Sequence, residues 1–223
     1  RLMRLLSRAR KGLIDFEIGI QSTNPDTLAA VNRKENVYPI LYNVEKLVEL
    51  GNIHIHVDLI AGLPYEDSEE HVNSTKRLIE LAPANITVHT LYKKRRAAMS
   101  REKVMDYEKS RGELDACVAE SYRLLQEAGY RPYYMYRQKD TGHGLENTGF
   151  AKGDTGSIYN VAMMSDCRDV LSFGAGGMSK RCFKQEGELY KHRVERCPTI
   201  KDALTYIERV DEMAEKKIEF FEM

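Results

Sequence analysis

Three polar residues stand where a small polar ligand could be held. Gln21 closes a short apolar run, Asp58 lies near the end of a second, and Arg33 falls on the helical sequence between them. They are the polar residues to watch, because chemistry in parallel α/β architectures collects at the carboxyl ends of strands. The histidines invite other chemistry. His54, His56 and His89 could imitate metal ligands, although alternate positions on a strand share a face by default and read as packing or polar pockets. His143, in a polar loop, could be an acid–base group, or a solvated or structural histidine with no named partner. Lys93-Lys94-Arg95-Arg96 reads as a solvated loop, an anion-binding loop or a nucleic-acid patch. Cys117, Cys167, Cys182 and Cys197 form no C-x-x-C pair, so the spacing indicates neither zinc nor a redox dithiol.

The elements that must carry these residues follow from periodicity. Ile14, Phe16, Ile18 and Ile20 alternate as a strand, and Ser22-Thr23-Asn24-Pro25 stops it and starts a helix running to Arg33. A second helical pattern covers Ile40 to Leu50 and ends at Gly51, and Ile53 to Ile60 form the next strand before Gly62-Leu63-Pro64. Strand, helix, strand implies a parallel pair with a crossover, and chemistry then collects at the strands' carboxyl ends. Asp67 or Ser68 caps a helix that Ala82-Pro83 closes, and Ile86 to Tyr92 read as a third strand.

Later, Met105 to Ala128 read as a long helix ended by Gly129. Tyr130 to Tyr136 form a tyrosine-rich strand that Pro132 assigns to an edge, serving as core or as a stacking platform. Residues 137 to 157 read as a Gly-rich loop, and Gly142-x-Gly144 lacks the context of a dinucleotide fingerprint. Ile158 to Val161 and Val170 to Phe173 read as strands, Gly174 to Lys180 as a small-residue turn, and Glu188 to Tyr190 as a strand signal. Ala203 to Ile218 form one closing amphipathic helix.

The 223 residues carry 34 basic and 34 acidic side chains. A neutral balance gives no electrostatic reason for a nucleic-acid partner. No apolar run approaches the roughly 18–20 residues of a membrane span and no signal peptide is present, so no membrane partner and a cytoplasmic location are expected.

G-I-Q-S at 19–22, Arg33 and V-D-L-I-A-G-L-P at 57–64 resemble the second half of a radical S-adenosylmethionine (SAM) barrel, in the branch of oxygen-independent coproporphyrinogen III oxidases and dehydrogenases. T-V-H-T-L, Y-M-Y-R-Q-K-D-T-G-H-G-L-E-N-T-G-F-A-K and S-F-G-A-G-G-M-S-K resemble the dehydrogenase branch most. The earlier strands also resemble cobalamin-binding radical SAM proteins.

The resemblance implies an α/β fold: a partial (β/α)6 TIM-like barrel over 1–98 and an α+β cap, the substrate domain, over 99–223. It implies SAM held by Gln21 and Arg33 at the methionine end and by Asp58 at the ribose. Tyr92 is an adenine neighbour or a rim tyrosine, and Met178 an apolar adenine neighbour or part of a ligand-free turn. It implies a [4Fe–4S] cluster in the complete family enzyme, whose C-x-x-x-C-x-x-C motif this sequence lacks; no residue here is assigned as a metal ligand or as catalytic. The substrate class would be a small molecule, a tetrapyrrole whose propionates are oxidatively decarboxylated in heme biosynthesis by a SAM-derived radical. Two alternatives stand beside that expectation: a truncated or engineered non-catalytic chain, and a fragment of a cobalamin-dependent methyltransferase.

Overall fold

The computed structural model describes residues 2–33, 36–91, 111–137, 144–184 and 192–222. They form two compact units, Arg1–Ser157 and Ile158–Met223. The division expected at 98/99 falls outside the described residues.

The first unit is built on a five-stranded sheet. β1 (Asp15–Gln21), β2 (His54–Ala61) and β3 (Asn85–Thr90) are parallel neighbours. β4 (Tyr130–Tyr136) and β5 (Asn147–Lys152) continue the sheet antiparallel, in the order β1-β2-β3-β5-β4. α1 (Leu2–Leu6) precedes β1, and α2 (Pro25–Ala30) and α3 (Val37–Glu49) join β1 to β2. α4 (Ser68–Leu81) joins β2 to β3, and α5 (Arg111–Glu127) precedes β4.

Local chemistry sets the boundaries. Asn24 caps α2 through Asp26 N at 2.9 Å, with Pro25 in the first turn. Asp67 and Glu70 form a capping box at the start of α4, and Ala82 in the left-handed region ends it. α2 stops at Ala30, three residues short of Arg33, because Asn32 takes φ 59°. Pro132 does place β4 at the sheet edge, where a missing ladder N–H costs nothing.

The sheet has two unlike faces. Phe16, Ile18 and Ile20, then Ile55, Val57 and Leu59, then Ile86 and Val88 form one apolar layer, joined by Leu41 and Val44 of α3, Leu78 of α4 and Val118 of α5. Burying each large aliphatic side chain there contributes about 1.5–3 kcal/mol before chain entropy is subtracted. The alternate residues, Glu17, Gly19 and Gln21, His56 and Asp58, Thr87 and His89, are polar or small and share the opposite face.

Residues 137–157 are not all loop. Asn147–Lys152 is β5, inserted between β3 and β4 and paired to both. Its strand character comes from those partners. Gly149 lies under the Tyr134 ring, and a Cβ there would come within 1.9 Å of Tyr134 Cε1.

In the second unit, β6 (Met178–Lys184) and β7 (His192–Pro198) form an antiparallel pair, accompanied by α6 (Ile158–Ser165), α7 (Ala203–Glu208) and α8 (Val210–Glu222). Ile158–Val161 are therefore helical rather than extended: Ala162, Met163 and Met164 continue the run with good helix formers. Val170 makes only an isolated bridge to Lys180. The small-residue turn is shorter than expected, because Met178–Lys180 already belong to β6. The closing helix is two helices, interrupted at Arg209. The strand signal at Glu188–Tyr190 lies outside the described residues. Among the described residues no helix is long and apolar enough to cross a membrane.

Candidate functional site

At its carboxyl end β1 departs from regular geometry. The β1–β2 register slips between Gly19 and Gln21, and Gln21 takes φ +72°. A bulge of this kind re-aims a side chain. A non-glycine residue in the left-handed region costs about 1–3 kcal/mol and persists only where the surroundings hold it. Here the Gln21 amide folds back over Gly19, so that a Cβ at Gly19 would lie 2.2 Å from Gln21 Nε2 and 3.7 Å from Arg33 Nη2. Arg33 Nη1 donates to Gly19 O at 2.7 Å. Amide and guanidinium thus converge on one glycine.

The loop behind this bulge is anchored by buried polar groups. Ser22 Oγ donates to Glu66 Oε1 at 2.6 Å, and Glu66 Oε2 lies 3.4 Å from His71 Nδ1, both acid and imidazole fully buried. Thr23 N donates to Ser74 Oγ at 3.0 Å, and the Asn24 side-chain amide donates to Glu70. The segments after β1 and β2 are thereby tied to the start of α4.

Across the polar face lies a cavity of about 410 Å³ lined by Gln21, Glu17, Asp58, His89, Tyr136 and Asn147, among others. Asp58 is 9% exposed, and its Oδ1 lies 3.3 Å from both His56 Nε2 and His89 Nε2. Burial pushes the Asp58 carboxyl up, but the two imidazoles outweigh it and hold the group well below the usual carboxylate range. Glu17 is pushed the other way, first by burial and then by the Asp58 charge. Two carboxyls in one cavity are therefore shifted in opposite directions, Asp58 downward and Glu17 upward.

Gln21 and Asp58 line this one cavity, whereas Arg33 does not line it and is joined to the group through Gly19 O beside Gln21. Met178 opens β6 in the second unit and is exposed. Tyr92, His143 and Lys93–Arg96 lie outside the described residues. His54 pairs with Asp15 at 3.0 Å, whereas His56 is buried on the polar face against Asp58. Sequence reasoning missed Glu17, Tyr136 and Asn147 as cavity residues. Counting back by twos from Gln21 gives Glu17. Asn147 had no such signal, because its strand was not legible; its Oδ1 accepts from Thr90 N at 2.7 Å.

The residues fit an amino-acid-bearing nucleoside such as SAM. The Gly19 cradle, with an amide and a guanidinium above it, suits a polar amino-acid end, and the ionised Asp58 suits hydroxyl donors. The cysteines do not fit a cluster. Cys117 is buried in α5, and Cys167, Cys182 and Cys197 are distributed over the second unit, all as free thiols. Among the described residues no group of three His, Cys, Asp or Glu is placed to hold a metal ion. No step is therefore routed through a cluster.

No protein-family model matches the chain. It is 32% identical over 207 residues to the oxygen-independent coproporphyrinogen-III oxidase-like protein HemZ of Bacillus subtilis, covering 93% of this chain and 40% of that protein. It is 25% identical over 214 residues to the heme chaperone HemW of Haemophilus influenzae, covering 94% of this chain and 51% of that one. The chain thus spans about half, or less, of the length of these relatives. Among solved structures it is similar to coproporphyrinogen III oxidase (HemN) of Escherichia coli, a radical SAM enzyme, with a TM-score of 0.60 and 21% identity over 89% of this chain and 43% of that one.

The sheet, three parallel strands continued by two antiparallel ones with one helix-covered and one polar face, shares the fold of that enzyme. In sequence the chain is similar, over part of their length, to an oxygen-independent coproporphyrinogen-III oxidase-like protein and to a heme chaperone.

Proposed function

We propose that this chain supplies the SAM-holding half of the barrel in a heme-related radical SAM oxidoreductase. The observation that carries the reading is the convergence of Gln21 and Arg33 on Gly19 beside a cavity walled by the ionised Asp58. Arg33 and Gln21 bind and orient the methionine carboxylate and amine end, and Asp58 accepts from the ribose hydroxyls. When bound, SAM supplies the group that removes hydrogen from substrate.

Residues 1–98 form the cofactor-holding part, and 99–223 the cap that meets substrate. The later part includes β4 and β5, which bring Tyr136 and Asn147 to the cavity wall. The substrate is a tetrapyrrole, by similarity to the coproporphyrinogen oxidase-like relative, and the reaction is oxidative decarboxylation of its propionates. The [4Fe–4S] cluster belongs to the complete family enzyme and has no ligands among the residues assigned here. The cytoplasm is the compartment that suits this chemistry.

Isothermal titration of the full protein with SAM tests the reading. Micromolar binding that Asp58→Ala weakens supports it, and a wild-type protein that releases no heat and shows no thermal shift with SAM overturns it.

A further inference from the structure

His89 stands between two groups that ligand contact alone does not explain. Its Nε2 lies 3.3 Å from Asp58 Oδ1, and its Nδ1 lies 3.3 Å from the Tyr136 hydroxyl. The His89 and Tyr136 rings meet edge to face with centroids 6.3 Å apart. Burial, and then the Asp58 charge, push the Tyr136 phenol up, and its hydroxyl donates to or accepts from His89 Nδ1 according to the imidazole tautomer. In a neutral imidazole that accepts at Nδ1, the remaining proton sits on Nε2 and faces Asp58.

A second group of polar side chains lies beside the first. The Tyr134 hydroxyl lies 3.1 Å from Thr87 Oγ1, which lies 2.6 Å from His56 Nε2, itself 3.3 Å from the same Asp58 oxygen. Tyr134 and Tyr136 stack with planes 6° apart. His89 and His56 thus both face one carboxylate oxygen of β2, and only His89 presents its second ring nitrogen to a tyrosine of β4.

We propose that His89 and Tyr136 are positioning residues for Asp58: Tyr136 sets the His89 tautomer, and His89 fixes Asp58 as an oriented carboxylate that selects a vicinal diol and holds it into the acid range. The diol assignment rests on the reading of Asp58 as the ribose acceptor. The titratable groups facing His89 and Asp58 are Glu17 from β1, His56 from β2, and Tyr134 and Tyr136 from β4, while β5 presents the uncharged Asn147. Glu17 is the sole additional acid in that set.

The test uses the full protein, with S-adenosylhomocysteine as the probe. Binding is titrated from roughly pH 4.5 to 8, and carbon-detected NMR follows the Asp58 carboxyl in the free protein. In the wild type, affinity stays level down to the lowest pH. His89→Phe keeps a ring against Tyr136 but removes the imidazole, and should raise the Asp58 midpoint by about one pH unit. That midpoint still lies below the titrated range, so any loss of probe binding between pH 4.5 and 8 comes from lost orientation of an ionised Asp58 rather than from its protonation. Tyr136→Phe should move the midpoint in the same direction by less, and His89→Gln, which restores a donor, should recover part of the loss. An Asp58 midpoint that is the same in wild type and both His89 variants overturns the inference, whether or not the probe binds. A midpoint that moves in a protein with no affinity for the probe supports the His89–Asp58 coupling and overturns the ribose assignment.

Discussion

The Gln21 side-chain amide occupies the space that a side chain on Gly19 would need, 2.2 Å from an ideal Cβ there. The obstructing atom is the far end of a flexible side chain rather than backbone. Gly19→Ala should therefore displace Gln21 without unfolding the sheet. We expect SAM affinity to fall by roughly 1–3 kcal/mol, the usual cost of a displaced polar contact, with little change in Tm. Calorimetric titration beside a thermal melt separates the two, and a Tm loss with unchanged affinity would contradict the cradle.

Asp58→Ala removes a charge-assisted acceptor and should weaken SAM binding by roughly 1–3 kcal/mol. Asp58→Asn keeps the shape and loses the charge, so it should fall between alanine and wild type. Equal affinities for all three proteins would remove Asp58 from the site.

Glu66 tests how the strained loop is held. It accepts from Ser22 Oγ at 2.6 Å and faces His71 at 3.4 Å with no solvent access. Glu66→Ala leaves both partners buried without it and should cost about 3–5 kcal/mol in urea unfolding. Glu66→Gln, which retains an acceptor for Ser22, should cost less. A neutral effect of the alanine variant would mean that Gln21 is held in its left-handed conformation by other contacts.

Glu17 gives a pH-dependent outcome whose sign follows from its raised pKa. A group with a raised folded-state pKa contributes stability that is full below its ordinary value, about 4.3, and lost as pH rises through the folded value. Glu17→Gln should thus be indistinguishable from wild type near pH 3.5 and slightly more stable at pH 7. The gain should stay under about 1 kcal/mol because solvent screens an exposed carboxyl. Paired melts at the two pH values check it, and a variant less stable at pH 7 would reverse the sign.

Much of this arrangement was legible before the structure. Alternation at Ile14–Ile20 and Ile53–Ile60, with the caps at Asn24 and Asp67, located β1, β2 and the helices between them, and Pro132 located an edge. These signals are local, set by side-chain period and terminal hydrogen bonding. β5 was not legible, because Asn-Thr-Gly-Phe-Ala-Lys carries little strand preference, and its pairing with β3 and β4 is decided by distant partners such as Tyr134 over Gly149. α6 was misread because a four-residue apolar run has no resolvable period. Within the site, Gln21 and Asp58 were visible as strand-end residues. The link through His89 was not, since it joins Asp58 of β2 to a tyrosine strand more than 70 positions along the chain.

The two-faced sheet has an evolutionary consequence. The aliphatic residues that hold the unit together and the polar residues that could touch a ligand occupy alternate positions of the same strands, so they are adjacent in the gene yet physically insulated. Replacing Glu17 or His89 leaves the helix-covered layer untouched. A lineage built on this scaffold can change what its cavity accepts by single substitutions while the cost to folding stays small, which is the latitude a family needs if members of one architecture are to diverge in what they act upon.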